Sequence, residues 1–305
     1  MSTIFPSVHV GDPIRHRQVS VFPLFVDAPA PVEYVLGAEA INDGSVVVEE
    51  ISESGSVPTL SVTNKANLLV LFLEGEQLIG AKQNRILNTS ILVAANSKTK
   101  IPVSCVEQGR WGFKSKEFGS SKTSSPSKLR YALKSSVSDS VKKGHGHMSD
   151  QGRVWDEVEC LQRAHGVDSA TFAMEDTFDS YREQLTELQT QFGYVEGACG
   201  VAVAIGKRIV CLDLFDKPST CGKVWDRLLS GALLESLSPA TDDSQAGIAD
   251  VENFVADLGA TSWEPATPAG EGQEFRSATE RGSQASALCF SDRIVHGSAV
   301  AAGQN

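Results

Sequence analysis

Residues 82–85, Lys82-Gln83-Asn84-Arg85, form a polar quartet between apolar segments of the string LEGEQLIGAKQNRILNTSILVAANSKTKIPVSCVEQGRW (73–111). Two cations and two amides in a row supply charge together with groups that both donate and accept hydrogen bonds. Gly75, Gly80 and Ala81 lie just before the quartet, and small residues let a backbone approach a ligand closely. If 84–92 is extended, Asn84, Ile86, Asn88 and Ser90 share one face. Three of those four are polar, a poor composition for a face that only packs. In the strand expected over 101–106 and its continuation, Val103, Cys105 and Glu107 share a face, and Arg110 and Trp111 follow. The set would suit a pocket for a small anion. Lys82, Arg85 and Arg110 would hold phosphate or carboxylate, Gln83, Asn84, Asn88 and Ser90 would read polar edges, and Trp111 would offer a stacking face. The same residues would also make a buried polar network that fixes strand register.

Chemistry beyond binding needs an acid, a base or a nucleophile. Glu76 and Glu107 are the acid–base candidates, although Glu74 or Glu76 could instead pair with Lys82 or Arg85. Cys105 is the thiol inside the segment. As a nucleophile it needs a base and an oxyanion hole, and only the fold could bring His16 or His296 to it. A packed strand cysteine is the alternative. His296, on a short apolar strand, has a satisfied structural histidine as its plainest reading.

Other signatures are weak. There is no Gly-x-Ser-x-Gly elbow and no His-Glu-x-x-His. Gly200 to Gly206-Lys207-Arg208 is one residue too long for a phosphate loop, and Arg208 stands where a Ser or Thr must reach magnesium; a glycine-bounded hairpin explains it. Gly144-His145-Gly146-His147 could hold a metal with Asp150 or another histidine, but the fixed spacings of structural zinc are missing, and two solvated imidazoles on a loop suffice. We therefore expect no metal site, and no cofactor is indicated.

The elements that must position these groups follow from patterning. Short apolar or alternating runs at 19–25, 46–51, 59–62, 68–73, 86–93 and 101–106, with turns such as Asn42-Asp43-Gly44 between them, predict an antiparallel β-sandwich or barrel-like domain over 1–113. Residues 114–153 carry 11 serines and a net charge of +6 (seven Lys and two Arg against three acids). A flexible basic loop is predicted over 114–150, with a weak helix at 129–143 inside it. The remainder, 151–305, predicts an α/β part that makes the whole chain α+β. Helices are expected at 153–163, 171–192 (Phe178, Tyr181, Leu185, Leu188, Phe192), 225–237 and near 248–258. Hairpins are expected at 201–205/209–214 and 286–290/293–296.

Composition limits the partners. Of 305 residues 41% are hydrophobic, which excludes wholesale disorder. Net charge is −11, which argues against a dedicated nucleic-acid binder, because phosphate contacts need clustered Lys and Arg. The longest apolar run, Leu68–Leu73, is far short of the roughly 20 residues that cross a bilayer, and no secretory signal or lipidation motif is visible. A cytoplasmic protein with free thiols, no membrane partner and a small anionic ligand is the expectation; the oligomeric state is left open.

At the central string the chain resembles the ARG- and rhodanese-phosphatase-superfamily-associated protein domain family, a domain of unknown function. The similarity extends through VFPLF (21–25), SVPTLSVTNKA (56–66), GRVWDEV (152–158), GVAVAIGKRIVCLDLFDKP (200–218) and IVH (294–296). The resemblance implies, through the genomic association in the family's name, NAD-derived or ADP-ribose-type metabolites or nucleotide-based conflict systems. It brings no catalytic residue set. The leading expectation is thus a pocket for a phosphorylated small molecule of nucleotide or ADP-ribose type. Its rivals are a non-catalytic binding or assembly module and a thiol-dependent hydrolase using Cys105.

Overall fold

A computed structural model describes residues 4–27, 31–238 and 244–303. The chain begins with β1 (His9–Val10), β2 (Ile14–His16), β3 (Val19–Phe25) and β4 (Tyr34–Leu36), then α1 (Gly37–Asn42). Seven strands follow: β5 (Val46–Glu50), β6 (Thr59–Asn64), β7 (Leu69–Phe72), β8 (Glu76–Gly80), β9 (Arg85–Leu87), β10 (Ile91–Val93) and β11 (Ser97–Cys105). Five of them form a six-stranded sheet with β12 (Phe118–Ser124), in the order β12-β8-β9-β11-β6-β5, and β10-β7-β4 form a second, three-stranded sheet. Inward residues at every second position (Val46 and Val48, Leu60 and Val62, Val70 and Phe72, Ile101 and Val103) fill one apolar core between the two sheets. The N-terminal half is accordingly a curled half-barrel in an α+β protein.

The next elements are helices: α2 (Ser127–Lys142), α3 (Gln151–His165), α4 (Met174–Ser180) and α5 (Arg182–Gln189). Asp150 caps α3, accepting the Arg153 backbone N–H at 3.2 Å, and Gly166 ends it in the left-handed conformation. The long amphipathic helix expected over 171–192 is two short ones, broken at Tyr181, whose φ of −112° leaves the helical range. The hairpin β13 (Gly200–Ile205) and β14 (Arg208–Phe215) leads to α6 (Pro218–Glu235), which starts seven residues earlier than expected, with Pro218 in its first turn. Then come α7 (Ile248–Ala260) and β15 (Glu264–Ala266), β16 (Gln273–Ala278), β17 (Gln284–Phe290) and β18 (Arg293–Val300).

The C-terminal strands build a sheet in the order β1-β3-β13-β14-β18-β17-β16-β15, with β2 beside β3. Strand β13 shows how it packs. Val201 and Val203 face the helices α2 to α6, while Ala202 and Ala204 face α7 on the other side. Strand β3 pairs with β13 from Val19–Ile205 to Leu24–Gly200, so residues before 113 contribute to both sheet systems.

The serine-rich run at 119–128, expected as loop, is β12 and the start of α2, and the weak helix expected at 129–143 falls on α2. Its small hydroxyls are satisfied internally, which allows burial. Ser125 Oγ donates to the Gly75 carbonyl at 3.0 Å, Ser127 Oγ to Glu235 at 2.7 Å, and Ser230 Oγ accepts the Ser124 N–H at 2.9 Å.

Candidate functional site

The quartet owes its position to a tight reversal. Strand β8 ends at Gly80 (φ +117°), and Ala81 (φ +39°) is also left-handed, so the chain folds back at once. A β-carbon on Gly80 would stand 3.0 Å from the Glu117 carbonyl, which makes glycine necessary there. Strand β9 then starts at Arg85, opposite Leu78 of β8 and Cys105 of β11.

The connection from β11 to β12 covers this reversal. It is pinned on both sides of residues 111–113. Arg110 Nη1 donates to the carbonyls of Ala81 (2.6 Å) and Gly112 (2.9 Å), and the Lys114 N–H donates to Ala81 at 2.9 Å. Between the pins Trp111 and Phe113 are half exposed, at 49% and 56%. Their rings lie 5.3 Å and 4.9 Å from the Lys82 ammonium, and Trp111 lies 5.7 Å from the Arg85 guanidinium carbon. Lys82 also donates to the Ser54 carbonyl at 3.1 Å.

Arg85 is the unusual member. Its side chain is fully buried, and Nη1 donates to the Gln83 carbonyl (3.2 Å) and Gln83 Oε1 (3.0 Å). Among the described residues Nε and Nη2 have no hydrogen-bond partner. These two N–H groups lie along one edge of the guanidinium plane, the fork that takes an oxyanion through two parallel bonds. The nearest acid is Glu50 at the end of β5, 3.6 Å from Nη2 and itself only 4% exposed. Neither Glu50 oxygen accepts a hydrogen bond. Burial pulls Arg85 below the usual guanidinium range, against the opposing pull of Cys105 and Glu50.

The neighbouring candidates are committed to holding the loop. The Glu107 carboxylate accepts from the Asn84 N–H (3.0 Å), Arg110 Nε (2.7 Å) and Thr171 (3.1 Å). Burial raises its pKa, but Arg110 and the other donors outweigh that and keep it below the ordinary carboxylate range. Gln83 Nε2 donates to the Glu107 carbonyl at 2.9 Å, and Asn84 Oδ1 accepts the Gly80 N–H at 3.1 Å. Cys105 is buried, and burial pushes its thiol up, away from the thiolate a nucleophile requires. Neither His16, edge-on to Phe192, nor His296 is its partner.

Glu76, Asn88 and Ser90 belong elsewhere. Residues 84–92 are not one extended strand, because β9 ends at Leu87 and β10 starts at Ile91. Asn88 donates to the His147 carbonyl at 2.9 Å and accepts from Ser104 at 2.6 Å. Ser90 Oγ bonds His296 Nδ1 at 2.7 Å, and His296 Nε2 meets Asp213 at 3.2 Å. This serine–histidine–aspartate chain has the order of a nucleophile triad, yet Asp213 is clamped by Arg130 at 2.6 and 2.8 Å, and Ser90 Oγ accepts the Glu74 N–H at 2.9 Å.

It is one edge of a buried ionic layer between α2 and the C-terminal sheet. Arg130, Lys134 and Ser138 make one face of α2, four residues apart. Lys134 donates to Glu74 (2.7 Å), Ser286 (2.7 Å) and Ser298 (2.8 Å). Arg227 of α6 pairs with Glu76, which burial nonetheless pushes up. Arg276 binds Glu274 at 2.6 Å, and Glu274 also meets His147 at 2.7 Å. Glu74 and Glu76 therefore pair with Lys134 and Arg227, not with the quartet. His147 is buried rather than solvated. A polar cleft of about 570 Å³ beside α2 opens onto Arg276 and not onto the quartet.

Sequence reasoning did not single out Glu50, Phe113 or this layer. Signals existed: Asp213 interrupts the apolar run CLDLF, Glu50 ends VVVEE, and Arg276 is the one base in an acidic segment.

The half-barrel, the helical layer and the charged quartet at the β8–β9 reversal belong to one α+β protein. Residues 7–300 match the ARG and Rhodanese-Phosphatase-superfamily-associated Protein domain, and the chain belongs to that family. Comparison with curated proteins and with solved structures finds no match. Among the described residues no helix is long and apolar enough to cross a membrane.

Proposed function

We propose that the protein binds a phosphorylated small molecule of nucleotide or ADP-ribose type at the Lys82–Arg85 quartet. The observation that carries this reading is the Arg85 fork, where Nε and Nη2 of a buried guanidinium make no hydrogen bond among the described residues and the paired acid, Glu50, stands 3.6 Å away. Buried donors are paired almost without exception, so a bare pair on one edge is the complement of a missing oxyanion. Lys82 adds a second positive charge, and Trp111 provides a ring for a base or sugar to lie against. The reading agrees with the metabolite class that the family resemblance implies. Binding is favoured over processing, because Glu76 and Glu107 are tied to Arg227 and Arg110, and the Cys105 thiol is held neutral. The test is calorimetry with ADP-ribose, NAD and nucleotides. Arg85→Ala is expected to weaken the bound compound by about 10- to 100-fold, the worth of a charge-assisted pair of hydrogen bonds. Equal binding by both proteins removes the assigned role.

A second reading makes the quartet structural. It is favoured by the internal bonds of Gln83 and Asn84, which tie β8, β9 and the 107–110 turn together. It predicts that Lys82→Ala lowers the melting temperature or changes the oligomeric mass by light scattering, with no ligand effect.

A further inference from the structure

We infer that Glu50 is the specificity-determining residue of the quartet site, and that within the nucleotide class it favours phosphates with a free neighbouring hydroxyl, as in ribose 1-phosphate or a nucleoside 3′-phosphate, over bare phosphate. The inference rests on the Arg85 reading above.

Glu50 ends the edge strand β5, yet its side chain is 4% exposed. Its carboxylate stops 3.6 Å from Arg85 Nη2, beyond hydrogen-bond range, and both oxygens lack a donor. The Gly55 position shows what surrounds it. A β-carbon there would lie 3.3 Å from Glu50 Oε2, 3.3 Å from the Trp111 ring and 3.0 Å from the Lys82 stem. Glu50, Lys82 and Trp111 thus converge at one spot, with Arg85 behind. Arg85 and Glu50, ion-paired at 3.6 Å, each keep two atoms without a hydrogen bond among the described residues, and a bipartite ligand would fill both. Its anionic group needs to accept from Arg85, and a neighbouring hydroxyl needs to donate to Glu50.

Charge sets the discrimination. Inorganic phosphate on the Arg85 fork would sit against the Glu50 carboxylate, with like charges a few ångströms apart in a water-poor site. A vicinal hydroxyl turns the same approach into an O–H···O⁻ bond. A site built to bind a hydroxyl rejects the analogue lacking it, because its own buried group is then left unpaired.

The probes are ribose 1-phosphate, 2-deoxyribose 1-phosphate and inorganic phosphate, titrated by calorimetry into the full chain and into Glu50→Gln. The unaltered protein is expected to prefer the ribosyl compound over its deoxy counterpart by about tenfold. In Glu50→Gln, which keeps the side-chain shape, that ratio falls to about twofold, and inorganic phosphate binds more tightly than before, because the repulsion is gone. Equal affinity of the unaltered protein for the two sugars overturns the inference. So does an unchanged ratio and phosphate affinity in Glu50→Gln. If the unaltered protein takes up none of the three, while ADP-ribose binding still requires Arg85, the inference about Glu50 fails and the Arg85 reading stands. If ADP-ribose also fails to bind, both fall. A thermal melt of Glu50→Gln, matched to the unaltered protein, shows that the variant is folded.

Discussion

Two regions of this molecule bury charge, and they do it differently. In the layer behind α2, Glu74, Glu76, Asp213 and Glu274 face Lys134, Arg227, Arg130 and Arg276, each acid with its own cation. At the quartet Glu50 and Arg85 are as deeply buried, yet they stand 3.6 Å apart with four polar atoms unbonded between them. Single atoms of the layer also lack partners, such as Arg130 Nε and Glu74 Oε1, but their groups make ion pairs at 2.6–2.7 Å, within hydrogen-bond range, whereas the Arg85–Glu50 ion pair at 3.6 Å is not. The layer is thus complete as architecture, while the Arg85–Glu50 pair leaves hydrogen-bonding capacity unused, which is the basis of the binding proposal. Burial alone does not distinguish structure from site; the state of the partners does.

This contrast can be broken at several points. The largest effect belongs to the layer. Arg130→Met strips the two guanidinium hydrogen bonds from a buried Asp213, leaving it His296 alone, and should cost about 3–5 kcal/mol in denaturant unfolding. A loss below that of a surface substitution would show the layer to be incidental. Acid is the next lever. Burial raises the pKa values of Asp213, Glu74 and Glu274, but Arg130 for the first, Lys134 with Arg130 and Arg276 for the second, and Arg276 with His147 for the third outweigh it. Their folded pKa values therefore lie below the unfolded ones. The stability they contribute is fully present above the ordinary carboxylate range and is lost as pH falls through it toward the depressed values. Glu76, pushed up by burial, works the other way and softens the fall. Melting temperature should hold from pH 7 to about 5 and drop steeply below about 4, with Asp213→Asn flattening the drop.

A smaller effect belongs to the quartet. Arg85→Met should cost about 1–2 kcal/mol, since most of its hydrogen bonds are unmade to begin with. A loss equal to that of Arg130→Met would erase the distinction between the regions. The smallest perturbation is chemical: an alkylating reagent near neutral pH should label the exposed Cys160 first and reach Cys105 only on unfolding. Rapid labelling of Cys105 in the folded protein would return it to consideration as a nucleophile.

What patterning could show, it showed. The alternation at 59–62 and 101–106 leads to β6 and β11, and the glycine-bounded hairpin at 200–214 is β13 and β14. Helix α2 was expected only weakly, and the reason is physical. Its buried face sets the polar row Arg130, Lys134 and Ser138 beside a short apolar row, Leu129, Leu133 and Val137, so the apolar stripe is narrow. The serine-rich composition of β12 misled in the same way, because its hydroxyls find internal acceptors that composition does not reveal.

The sequence by itself determined that residues 82–85 are polar where their flanks are apolar, that the chain alternates as strands around them, and that two cations stand within one turn of two small residues. Tertiary structure alone decided which charges meet. Glu74 and Glu76 lie within eleven residues of Arg85, yet they pair with Lys134 and Arg227, while Glu50 comes from the far edge of the sheet. Local spacing sets which face a side chain takes along its own strand. Ion pairs form between elements brought together by core packing, and that choice depends on the whole chain at once.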